Sequence, residues 1–215
     1  MLATLALVLA TSPTTVELNP SDDIWVYPHA TDTHDAYLRV WGAEGRELAK
    51  DVNEMGDFGY SYVRFDLSKL PEGKLTGATF TVTNVANPGY DLAYSKQNPL
   101  RARPITPDFS EKDWDYSKAE QNRPEAGDKG FFGGGFAEAI PSDKEFPITI
   151  DLLKGPKDFR AYVDVARSST NKHMAFALTA SMDVEEHGQG CIYKFYSKDC
   201  ENPSKRPILK LTFEN

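Results

Sequence analysis

Apolar and polar side chains alternate with a period of two along much of the chain, a pattern typical of β-strands with one buried and one solvated face. Turn sequences such as Pro71-Glu-Gly73 and Gly188-Gln-Gly190 separate the alternating segments. Another segment, 156–167, has apolar residues at helical spacing and predicts one short helix. The nine predicted strands are 23–27, 36–41, 59–66, 76–84, 100–105, 146–151, 174–181, 191–197 and 208–213. This order of elements predicts an all-β fold, an antiparallel β-sandwich of the jelly-roll type.

Residues 107–146 follow neither period, and we expect them to form a long irregular loop over one end of the sandwich. The run Gly133–Gly135 within them lacks the Lys-Ser/Thr pair of a phosphate-binding loop. No internal repeat or linker divides the chain. Residues 13–215 are therefore predicted to form a single domain.

The first twelve residues are apolar and small, which predicts a secretory signal peptide over residues 1–12. The basic residues that usually open such a peptide are missing, so a first strand or a buried apolar arm is the alternative. The segment is shorter than the roughly 20 apolar residues of a membrane-spanning helix, as is every later apolar run. We therefore expect an extracellular or cell-surface protein without a membrane span.

The chain carries a formal net charge of −8, which disfavours nucleic acid as a partner for the molecule as a whole. Cys191 begins a predicted strand that carries the chain away by about 20 Å, and Cys200 lies three residues beyond the end of that strand. Since a disulfide needs Cα atoms within about 7 Å of each other, we expect both thiols to be free unless the chain bends sharply between them.

Several predicted strands place aromatic and basic side chains together on the face that points away from the core. Aromatic rings stack on the C–H faces of sugars, and Arg and Lys donate to hydroxyl and uronate carboxylate groups. The alternative is that these side chains bridge one another across the sheet, or form a second core beneath the 107–146 loop. The predicted ligand-binding residues are Arg39, Trp41, Tyr62, Arg64, Lys194 and Tyr196.

Several blocks of sequence resemble the DNRLRE-domain family, which overlaps carbohydrate-binding module family 96. They begin with Asp23-Ile-Trp-Val, Tyr37-Leu-Arg-Val-Trp-Gly and Tyr62-Val-Arg-Phe-Asp-Leu-Ser-Lys-Leu-Pro-Glu-Gly. Ile150-Asp-Leu and Phe195-Tyr-Ser follow, so that the resemblance covers nearly all of residues 22–213, with apparent insertions at 42–57 and 125–146. It implies a secreted jelly-roll domain, and some members of the family bind alginate.

Acidic residues near the N-terminus suggest a calcium site, because carboxylates and backbone carbonyls are the oxygen ligands that Ca²⁺ prefers. The candidate ligands are Asp23, Asp32 and Asp35. Their spacing matches no defined calcium loop, so a solvated turn is the alternative, and no cofactor is required for the predicted fold.

Together these observations predict a secreted, non-catalytic protein that binds a polysaccharide, with an acidic one such as alginate favoured by the basic side chains. Two alternatives stay open. A structural or adhesive protein of the cell surface or of a filament would explain why no catalytic domain accompanies the predicted module. A uronate lyase would use the Tyr, Arg and Lys side chains of the sheet as its proton carrier and carboxylate clamp.

Overall fold

The computed structural model describes residues 12–27, 35–42, 58–105, 109–114, 124, 127, 129–182 and 184–215. Its strands form two antiparallel sheets, so the predicted all-β sandwich is confirmed. In chain order the strands are β1 (Thr14–Leu18), β2 (Asp22–Val26), β3 (Tyr37–Val40), β4 (Tyr60–Asp66), β5 (Lys74–Val85), β6 (Leu100–Pro104), β7 (Gly133–Gly135), β8 (Glu145–Asp151), β9 (His173–Thr179), β10 (Tyr193–Tyr196) and β11 (Ile208–Glu214).

Sheet A has the order β1-β11-β5-β10-β3, with β8 on the opposite edge of β5, and sheet B has the order β2-β4-β9-β6-β7. Asn84 of β5 pairs with both Phe195 and Phe146, and Thr81 pairs with both Ile208 and Thr149. Since β8 takes one edge of β5, strands β10 and β11 share the other edge, one beyond the other. Residues 197–207 therefore form an excursion that leaves this edge and returns to it.

Two helices accompany the sheets, α1 (Leu92–Gln97) and α2 (Phe159–Ser168), together with one helical turn at Val184–His187. The predicted helix is confirmed as α2, which begins after Asp158 because the carboxylate of Asp158 accepts a hydrogen bond from the backbone N–H of Ala161 at 3.1 Å. Its apolar face, with Phe159 and Val163, is buried. Within the described residues, no helix has the length and apolarity of a membrane span.

Apolar side chains are buried on both faces of sheet B. Phe65 and Phe176 face sheet A and contact Phe80 across the main core. The outer face of sheet B carries a second core that is covered by residues from the 109–114 segment. Its members are Ile24, Val26, Phe58, Tyr60, Tyr62, Ile105, Phe109, Ala175 and Ala177, with Trp114 packed against them.

The two sheets approach each other closely where β7 crosses β8. A Cβ atom at Gly133 would overlap the carbonyl oxygen of Asp151, and one at Gly135 would lie 2.5 Å from the carbonyl oxygen of Thr149. The glycine run therefore belongs to a strand at the sheet edge, where the absence of side chains lets two backbones touch. This corrects the expectation that the whole of 107–146 is irregular.

Candidate functional site

Strands β3 and β10 place aromatic and basic side chains side by side on the solvent face of sheet A. In their antiparallel register Lys194 lies opposite Arg39, and Tyr196 lies opposite Tyr37. All four side chains are partly exposed, whereas the intervening residues of both strands are buried in the core. The alternation thus puts the predicted Arg39, Lys194 and Tyr196 in one place. We call Tyr37, Arg39, Lys194, Tyr196 and the adjacent Lys205 the basic–aromatic patch.

Two lysines of the patch lie over the faces of its two tyrosines. The Nζ atom of Lys194 is 4.2 Å from the ring centroid of Tyr37, and that of Lys205 is 5.0 Å from the ring centroid of Tyr196. The two rings contact each other with centroids 5.1 Å apart. Among the described residues Lys194 forms no ion pair, and the contact of its ammonium is with the ring of Tyr37.

Glu145 of β8 fixes one end of the patch. Its carboxylate accepts a hydrogen bond of 2.5 Å from the Tyr196 hydroxyl and one of 2.6 Å from the Lys205 ammonium. The hydrogen bond to Glu145 raises the pKa of the Tyr196 phenol, and the hydrogen bond from Lys205 lowers the pKa of Glu145. Tyr196 is therefore held as a protonated hydrogen-bond donor.

Arg39 joins the patch to a group of aromatic residues where the sheets meet. Its guanidinium donates to the Asp35 carboxylate at 2.6 Å and lies 4.8 Å from the ring centroid of Trp25. Trp25 stacks on Tyr27 at 6.0 Å, and Trp41 lies 5.9 Å from Trp25 and 5.3 Å from Tyr27. We call Trp25, Tyr27 and Trp41 the tryptophan cluster.

Trp41 was expected on the solvent face beside Arg39, but only 7% of it is exposed. The reason lies just beyond β3, where Trp41 and Gly59 exchange backbone hydrogen bonds of 3.0 and 3.1 Å. This bridge turns the end of β3 from sheet A towards the residues that lead into β4 of sheet B. The missing side chain of Gly59 leaves the space that the Trp41 ring fills.

Tyr62 and Arg64 lie on sheet B, away from the patch. Tyr62 is fully buried in the second core, with ring centroids 5.1 Å from Trp114 and 5.6 Å from Phe109. Arg64 pairs with Asp22 on the adjacent β2 strand, with Nε 2.9 Å from Oδ2. The alternative stated for the predicted binding residues was a second core beneath the 107–146 loop. That alternative describes the position of Tyr62.

Asp23 and Asp35, two of the three predicted calcium ligands, contact different groups of residues. The carboxylate of Asp35 binds Arg39 and the backbone N–H of Tyr37, and Asp32 lies outside the described residues. Asp23 instead groups with Glu111 and Asp199, whose carboxylate oxygens all lie within 4.8 Å of one another.

A lysine already supplies positive charge to this acidic group. The ammonium of Lys198 lies 3.0 Å from Glu111 and 2.9 Å from Asp199, and its backbone N–H donates to Asp23 at 2.6 Å. Burial raises the pKa of Asp23 to about 7, because the charged form loses its hydration. The three carboxylates and Lys198 thus form one charged group, and a calcium site that includes Asp23 stays a prediction.

The sequence reasoning missed Glu111, Lys198 and Asp199. They lie far from Asp23 along the chain, in a 3-10 turn at Glu111–Asp113 and in the 197–207 excursion, and they carry no local motif.

The chain matches no protein-family model and no curated protein. The resemblance to DNRLRE domains accordingly stays a prediction.

Proposed function

We propose that this is a secreted, non-catalytic carbohydrate-binding protein of the DNRLRE type, which holds an acidic polysaccharide such as alginate on the basic–aromatic patch. The observation that supports it most directly is the position of Lys194. Its ammonium lies on the Tyr37 ring and opposite Arg39, and no carboxylate of the described residues neutralises it. A cation held in this way keeps its charge available to a ligand carboxylate.

The patch combines the two contacts that an acidic sugar needs. Tyr37 and Tyr196 offer ring faces and hydroxyl groups for stacking and hydrogen bonding, while Arg39 and Lys194 offer donors for a carboxylate. The cross-strand register and the hydrogen bonds to Glu145 fix these side chains before binding. Preorganisation of this kind lowers the entropic cost of ordering these side chains when a ligand binds.

The environment of Tyr196 favours binding over catalysis. A lyase that used this tyrosine as its base would need a phenol that loses its proton readily near the working pH. The hydrogen bond to the Glu145 carboxylate raises the pKa of Tyr196 and so opposes that loss. We therefore assign Tyr196 a binding role, in which its hydroxyl stays bonded to Glu145 and its ring contacts the ligand.

Affinity electrophoresis tests the proposal. The protein is run in gels cast with alginate, pectin, xylan, chitosan or no polymer, and we expect salt-sensitive retardation in an acidic polymer. Lys194→Ala should abolish most of the retardation. The matched control is Lys210→Ala, which removes the same charge from β11 on the same sheet, where Lys210 pairs with Glu17 at 3.2 Å.

Equal retardation of wild type, Lys194→Ala and Lys210→Ala would place binding elsewhere on the molecule. Absence of retardation in every gel would contradict carbohydrate binding and favour a structural or adhesive role.

A further inference from the structure

The tryptophan cluster contains two buried hydrogen-bond donors that face no acceptor in the described part of the chain. Trp25 is 9% exposed and Trp41 is 7% exposed, and the Nε1 atom of each is shielded from solvent without a hydrogen-bond partner there. Buried indole N–H groups normally have a partner, and leaving one without an acceptor is unfavourable. Two such groups on adjacent rings call for a shared explanation.

A guanidinium group lies beside one of the two indoles, that of Trp25. The guanidinium of Arg39 lies 4.8 Å from the Trp25 ring centroid, and of its nitrogens Nη1 is the one bonded to Asp35. Within the described residues, the Nε and Nη2 groups of Arg39 have no hydrogen-bond partner. The site thus brings together indole N–H and guanidinium N–H donors, and the described contacts offer no acceptor besides Asp35.

We propose that Trp25, Trp41 and Arg39 form a subsite that receives a carboxylate group of the ligand. A carboxylate has two oxygens and about four acceptor positions, which suits several N–H donors on neighbouring side chains. The inference rests on the proposed function: the carboxylate belongs to a uronate unit of the bound polysaccharide. Arg39 belongs to both places. Because the Nε1 atoms of both indoles are shielded from solvent, a carboxylate from a sugar on the patch reaches them by displacing one of the rings of the tryptophan cluster.

This subsite would make recognition depend on the carboxylate and not on charge in general. Lys194 attracts any anion, whereas two indole donors beside a planar guanidinium favour an oxygen acceptor in a fixed position. A sulfated or esterified sugar would accordingly bind less well than a uronate of the same length.

The chain has only three tryptophans, so the indole N–H resonances in a ¹H–¹⁵N correlation spectrum test the proposal residue by residue. A trisaccharide of guluronate or mannuronate is titrated into the protein, and Trp→Phe variants assign the signals. We expect the resonances of Trp25 and Trp41 to move as they gain a hydrogen bond. Trp114 packs on the second core and serves as the internal control.

Affinity measurements complete the test. Trp41→Phe keeps an aromatic ring but removes one donor, and we expect it to weaken trisaccharide binding about tenfold. Trp25→Phe should act similarly, and it replaces Trp41→Phe if that variant does not fold. Methyl esterification of the trisaccharide should lower the affinity of the wild type and should lower that of the Trp→Phe variants less.

The outcomes separate the two proposals. If the trisaccharide binds in a Lys194-dependent way but leaves the Trp25 and Trp41 signals and the Trp→Phe affinities unchanged, the donors are satisfied by an ordered water only and the subsite is refuted. If neither the trisaccharide nor any acidic polymer binds, the proposed function fails together with the subsite.

Discussion

The backbone N–H of Lys198 donates a hydrogen bond of 2.6 Å to the carboxylate of Asp23, although 175 positions separate the two residues. The contact joins the 197–207 excursion of sheet A to an edge strand of sheet B. The Lys198 ammonium extends the junction to Glu111, which in turn accepts a hydrogen bond from the Asp23 backbone at 3.3 Å. Three distant segments therefore depend on one buried carboxyl group.

The pKa of Asp23 makes this junction sensitive to pH. Burial raises the pKa from 3.8 to about 7, so between these values the folded chain keeps a proton that the unfolded chain releases. The favourable contribution is complete below pH 3.8 and is lost as pH rises through 7, a total of about 4 kcal/mol. Asp23→Asn should remove this dependence, because an amide keeps an acceptor for Lys198 and carries no charge to bury.

Urea unfolding of wild type and Asp23→Asn at several pH values between 4 and 8 measures the effect. We expect the stability of the variant relative to the wild type to increase with pH over this range. A constant difference would show that Asp23 ionises in the folded protein as it does in the unfolded chain.

The contact between β7 and β8 predicts that alanine substitutions at neighbouring glycines differ in how much they destabilise the fold. Gly133→Ala and Gly135→Ala would push a methyl group into backbone carbonyls of β8, and we expect a loss of roughly 1–3 kcal/mol in each case. Gly134→Ala is the matched control, because its Cβ would have no described neighbour nearer than 3.6 Å. Thermal or urea unfolding of the three variants decides the point; equal losses at all three positions would argue against the close approach.

Substitutions at Tyr62 and Lys194 should have opposite effects, one on the stability of the fold and the other on ligand affinity. Tyr62→Ala removes a fully buried ring from the second core and should cost about 3–5 kcal/mol. The polysaccharide affinity of the molecules that remain folded should stay unchanged. Lys194→Ala should show the reverse, with lost binding and little change in unfolding temperature. A loss of polysaccharide affinity in the folded Tyr62→Ala variant would show that Tyr62 contributes to binding.

Cys191 and Cys200 are both buried and form no disulfide, in agreement with the expectation that they do not pair with each other. A thiol reagent added to the native protein should therefore react slowly with Cys191 and Cys200, which are 1% and 7% exposed. Both should react at once in denaturant without prior reduction. If neither cysteine reacted under those conditions, the two would form a disulfide.

The sequence allowed the faces of β3 and β10 to be predicted because those strands are buried on one side only. Leu38 and Phe195 point into the core, and Arg39 and Lys194 point out. In β2 alternation does not distinguish the two faces. All five residues of that strand are buried, so alternation could not show that Trp25 faces sheet A while Ile24 and Val26 face the second core.

The structure separates some of the predicted binding residues from the basic–aromatic patch, and the sequence could not show this for a related reason. Periodicity shows that Tyr62 lies on the outer face of sheet B, but it cannot show that Phe109 and Trp114 cover that face. The bridge between Trp41 and Gly59 likewise depends on where two distant segments meet. Strand β1 was not predicted, because it is a short edge strand whose residues are exposed or only partly buried.

The position of β11 has a consequence for how the protein is made. It is the last strand in chain order, yet it pairs with β1 on one edge and with β5 on the other, near the middle of sheet A. A nascent chain that has not yet left the ribosome beyond Ile208 therefore holds β1 and the first half of β5 without their shared partner. Until then β1 and residues 74–81 of β5 lack the strand that pairs with them, so this part of sheet A forms late and exposes unpaired backbone groups in the interval.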